Sequence, residues 1–163
     1  MLARRAAVRI VDGDAAMSDT ETFARFFTVD EANALIPSLR PAVEELLGTF
    51  RKIRSEIEEA AGEARVPLGS PELAKHIEAR AIAPRLLETV KKLIGQIHAN
   101  GCLVNGPEAG LIDFPCLFNN EIVYLCWKYG EPRIGFWHRI PEGFAGRRPL
   151  LDVSNPEDAA RVH

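Results

Sequence analysis

Five side chains in the second half of the chain are of types that do chemistry: Asp113, Cys126, Glu131, His138 and Arg147. Thiol, imidazole and carboxylate are the donors that hold transition metals. Asp113, Glu131 and His138 form the candidate ligand set for a divalent transition metal, with Cys126 beside them. The same group would suit a small metal-dependent hydrolase. A nucleophilic role would instead need Cys126 or Cys116 activated by His138. No His-x-x-x-His or His-Glu-x-x-His spacing marks ligands in advance, so no catalytic residue is assigned. Each residue also has a purely structural reading. Asp113, before Phe114-Pro115, can bond turn amides; His138 can bond a backbone carbonyl; Cys126 can pack in a core. Arg147, on a loop with Gly143 and Gly146, could hold an anion or pair with Glu131 or Glu142.

Whether these groups meet depends on strand pairing. Leu111 to Phe118, Glu121 to Trp127 and Arg133 to Arg139 read as strands, rich in aromatic and branched residues. Asn119-Asn120 suits a two-residue turn, because asparagine tolerates positive φ. That turn sets Phe118 against Glu121, Leu117 against Ile122, Pro115 against Tyr124 and Asp113 against Cys126. If Trp127 faces Arg133, then Cys126 faces Ile134, Tyr124 faces Phe136 and Ile122 faces His138. Alternation divides the side chains between two faces. One carries Ile112, Phe114, Cys116, Phe118, Val123, Leu125, Trp127 and Trp137, and should lie on helices. The other carries Asp113, Pro115, Leu117, Ile122, Tyr124, Cys126, Ile134, Phe136 and His138. An apolar second face calls for a cover, and a second copy of the chain is the economical one. A homodimer is therefore expected, with an unknown protein partner as a further option.

The elements upstream must carry this sheet. Thr28 to Glu31 fits a capping box. The apolar positions Ala32, Ile36, Leu39, Val43, Leu46, Phe50, Ile53, Ile57 and Ala60 follow at steps of four and three, the spacing of a packed helical seam. Pro37 and Pro41 predict a kink or break near the start of a helix reaching about Ala61. Residues 62–70 read as a loop. Ser70-Pro71 opens a second helix, Pro84 kinks or divides it, and Asn100-Gly101 ends it. The fold class is α+β: a long antiparallel helical hairpin, its first helix kinked, packed on a small antiparallel sheet of three or more strands. Residues 1–25 read as a poorly ordered tail, 26–150 as one α+β domain and 151–163 as a C-terminal tail with one helical turn after Asn155-Pro156. Met17 is an alternative start.

Composition narrows the functional classes. A net charge of −3 over 163 residues, with no basic face, gives no sign of a nucleic-acid partner. The apolar runs are too short for a membrane span. An odd set of cysteines, Cys102, Cys116 and Cys126, without a Cys-x-x-Cys pair, suits reduced thiols and a cytoplasmic location.

The blocks FTVDEANALIPSLRP, GLIDFP, LCWKYGEPRIGFWH and GFAGRRPL, in that order, resemble the prokaryotic family catalogued as domain of unknown function 2203. The resemblance spans about Phe27 to Leu150 and includes the polar positions Glu31, Asn33, Asp113, Glu131, His138 and Arg147. It implies a small intracellular bacterial or archaeal protein and carries no assigned activity. The sequence thus leads to a non-enzymatic oligomerising or partner-binding module without a cofactor. The alternative is a transition-metal-binding protein or small hydrolase using Asp113, Glu131 and His138.

Overall fold

A computed structural model describes residues 23–79 and 82–150, apart from the side chains of 82 and 83. The expectations for residues 1–22, including the alternative start at Met17, and for 151–163 lie outside the described residues.

Helix α1 spans Val29–Ala64. Its capping box forms as read: Glu31 N donates to the Thr28 hydroxyl at 3.2 Å and Thr28 N to the Glu31 carboxylate at 2.9 Å. The helix continues through Pro37 and Pro41 and does not break there. Each proline strips a donor from the carbonyl four residues earlier, on its own face of the helix. Both prolines are exposed, so those carbonyls stay on the solvent side, where water can bond them. Arg65, in left-handed backbone, closes the helix.

Two helices follow, α2 at Pro71–Ala79 and α3 at Ile82–His98. The Ser70 hydroxyl accepts from Leu73 N at 3.2 Å, as an N-cap should. Pro84 stands in the first turn of α3, where its missing N–H would have had no helical partner. Near the loop, Leu73 packs on Ala60 and Ala61. Farther along, Val90, Leu93 and Ile97 join Ile36, Leu39, Val43 and Leu46 in the main core.

The sheet has five antiparallel strands in chain order: β1 Leu103–Val104, β2 Leu111–Phe118, β3 Glu121–Lys128, β4 Phe136–Arg139 and β5 Arg148–Pro149. Asn119 and Asn120 both have positive φ, and β2 pairs with β3 in the register read from the sequence, Asp113 opposite Cys126. The β3–β4 register differs. Tyr124 faces His138 and Cys126 faces Phe136, two residues from the expected pairing. The turn is longer than expected because Glu131 braces it, accepting from Lys128 N through its carboxylate and from the Trp127 indole through its carbonyl. Ile134 falls outside β4 and is buried in the helix-side core, a correction to its expected place on the second face. There its N–H donates to the Asn33 side chain of α1 at 2.8 Å. An even slip keeps every β4 side chain on its expected face.

Ile112, Phe114, Cys116, Val123, Leu125 and Trp127 are buried against α1 and α3, with Phe118 and Trp137 at the margin. The second face is largely closed within one chain. Asp113, Pro115, Tyr124, Cys126 and His138 are all buried, while Leu117 remains exposed. Phe23 sets its ring edge against Tyr124, and Phe27 N donates to the Pro115 carbonyl at 2.7 Å. Among the described residues, no helix is long and apolar enough to cross a membrane.

Asn33 ties the long helix to the loop before β4. Asn33→Ala would leave the Ile134 N–H unpaired in a buried position, at a cost of about 1–3 kcal/mol. Urea unfolding of wild type and variant measures the difference.

Candidate metal centre

Cross-strand pairing brings Asp113 of β2 beside Cys126 of β3, and the β4 register then swings His138 toward both. The donor atoms of Asp113, Cys126 and His138 lie within 4.8 Å of one another, and all three residues are buried. Of the sequence candidates, these three come together. Glu131 and Arg147 are not in the group and pair with each other instead.

His138 has a polar neighbour at each ring nitrogen. Nδ1 lies 2.9 Å from the Arg139 carbonyl oxygen. A carbonyl only accepts, so Nδ1 carries the proton and donates it. In the neutral ring this leaves Nε2 as a bare lone pair. That lone pair points at the Asp113 carboxylate, 3.3 Å from each oxygen. Two acceptors facing one another in a fully buried site repel unless a positive charge stands between them. That charge is either a proton, on the ring or on the carboxyl group, or a metal ion.

The surroundings orient these donors. The Asn105 amide donates to Asp113 Oδ2 at 2.7 Å. Tyr124 sets its ring edge against His138, with centroids 5.6 Å apart. Burial pushes the Cys126 thiol up to about 12, and the Asp113 charge and its hydrogen bond with that thiol push the same way. Without a cation, then, Cys126 stays a protonated thiol and a poor nucleophile. Cys102, up to about 11, and Cys116 are raised chiefly by burial as well.

Arg147 is clamped. Its guanidinium stacks on Phe136 and Phe144, 4.2 and 4.9 Å from their centroids. One nitrogen donates to both Glu131 oxygens at 2.8 Å and to the Cys126 carbonyl at 3.2 Å. Arg147 therefore binds the chain's own carboxylate rather than an outside anion, and fixes the backbone under Cys126. Arg148 pairs with Glu142 at 2.7 Å.

Asn105 was not among the residues the sequence marked. It follows a strand of only two residues, too short to show alternation, so nothing in the sequence placed it beside Asp113.

A family profile described as an uncharacterized conserved protein, DUF2203, matches residues 25–150. The chain belongs to the DUF2203 family. No curated protein matches the chain, and no solved structure does. The blocks that carry the family resemblance contain Asp113, Cys126 and His138, and Asn105 lies between two of those blocks.

The three thiols are buried and protonated in the folded chain. In metal-stripped protein at pH 8 they should react with a disulfide reagent at least about tenfold more slowly than in denaturant, where the thiols regain ordinary access and acidity. A spectrophotometric thiol assay in both conditions checks this.

Proposed function

We propose that this protein binds one divalent transition metal of the zinc class through Asp113, Cys126 and His138. One observation carries the reading: His138, whose Nδ1 already faces a backbone carbonyl, sets its Nε2 against the Asp113 carboxylate at 3.3 Å in a buried site. That spacing is long for a charge-assisted N–H to carboxylate bond, which runs about 2.7–2.9 Å. It matches the edge between nitrogen and oxygen ligands of a tetrahedral ion with bonds near 2.0–2.1 Å, about 3.3–3.4 Å.

The donor chemistry fits as well. One thiolate, one imidazole and one carboxylate favour zinc-class ions over magnesium or calcium, which want oxygen alone. The second layer has the usual form, with the histidine's other N–H on a backbone carbonyl and the carboxylate held by an amide. Three protein donors would leave one position of a tetrahedron for water or a substrate oxygen, the arrangement of catalytic rather than structural zinc. The ligand set differs from that read in the sequence by exchanging Glu131 for Cys126, because Arg147 and Lys128 N take up the Glu131 carboxylate. The expected homodimer drew on an open second face, and that face is mostly buried within a single chain.

Protein purified without a tag should hold about one metal ion per chain by elemental analysis. Cobalt added to stripped protein should give a thiolate charge-transfer band that Cys126→Ser abolishes. His138→Ala should weaken binding by at least about 100-fold, while Glu131→Gln should stay within a few-fold of wild type. Uptake must displace the Cys126 proton, so affinity should rise with pH, by up to about tenfold per unit below the thiol's pKa. Equal cobalt spectra in wild type and Cys126→Ser would refute the proposal.

A further inference from the structure

We infer that Asn105 is the gate and positioning residue of the Asp113–Cys126–His138 centre, controlling how fast a metal ion leaves it. The inference rests on the metal-binding reading above.

Asp113 is fully buried, yet Asn105, whose amide bonds its Oδ2 at 2.7 Å, is exposed. The distance from solvent to a donor atom is therefore one side chain at this point. Asn105 is itself well anchored. It follows β1, which pairs with β2 through Leu103 and Asp113, and its backbone N donates to the Leu111 carbonyl at 3.0 Å. Gly106 comes next at φ +124°, and a Cβ there would sit 2.9 Å from the Leu111 side chain, so the turn that holds Asn105 requires glycine. A side chain on so fixed a backbone can hold the Asp113 carboxylate in one plane and close the surface over it.

Amide-to-carboxylate contacts of this kind change metal affinity by about 10–100-fold when removed. Loss of the amide should also uncover the ligand oxygen. The effect should then fall mainly on release, with uptake equal or faster.

Wild type, Asn105→Ala and Asn105→Asp are stripped, reloaded with zinc, and mixed with excess chromophoric chelator in a stopped-flow instrument. Asn105→Ala should lose about 10–100-fold in affinity, with zinc released at least about tenfold faster and uptake not slowed. Asn105→Asp keeps the shape but sets a second carboxylate against Asp113. Its stripped form should melt below wild type, and zinc should raise its melting temperature by more than it raises that of wild type. Packing alone would not reverse on zinc addition. If wild type holds zinc while Asn105→Ala releases it at the wild-type rate, the gate is overturned and the metal reading stands. If wild type holds no zinc, both are overturned.

Discussion

Two asparagines in left-handed backbone, Asn119 and Asn120, hold the register of the two longest strands. Everything at the candidate centre depends on that register. Counting back from the turn puts Asp113 directly across from Cys126, and a slip of one residue would send one of them into the helix-side core. Bulk on that side makes the slip costly. Phe114, Leu125 and Trp127 are buried against α1 and α3, and exchanging them for Asp113 and Cys126 would bury a carboxylate among apolar groups. A short turn and an apolar core thus together set a polar group inside the opposite face.

The polar residues inside the family match fall into two kinds. Glu31 caps a helix, Asn33 satisfies a loop amide, and Glu131 and Arg147 satisfy one another while bracing the β3–β4 turn. Each of these has a partner inside the fold. Asp113 and His138 differ, because a neutral His138 that donates from Nδ1 would set two acceptors against one another. Ion pairs buried this deeply seldom repay their desolvation, so a stabilising role alone is a weak reason to hold them there. The proposed metal ion would supply the positive charge that the arrangement calls for.

Much of this was legible in the sequence. The capping box, the helical seam, the Ser70 cap and the β2–β3 register follow from local chemistry with few alternatives, and the structure has each of them. The division of side chains between faces also held for β4, since the register error was even. What local patterns did not show was set at long range. Ile134 goes to the core because a helix residue 101 positions away offers it an acceptor. Glu131 leaves the ligand set because Arg147 lies within reach only after the chain has turned back past β4. The helix passes Pro37 and Pro41 because both face solvent, which the seam implied but the proline rule alone did not.

X-ray absorption at the metal edge of protein purified without a tag reads the coordination shell itself. The ion should be four-coordinate, with one sulfur at about 2.3 Å and nitrogen or oxygen ligands at about 2.0–2.1 Å. A first shell without sulfur, or protein that carries no bound metal after growth in zinc-supplemented medium, would contradict the proposed metal centre.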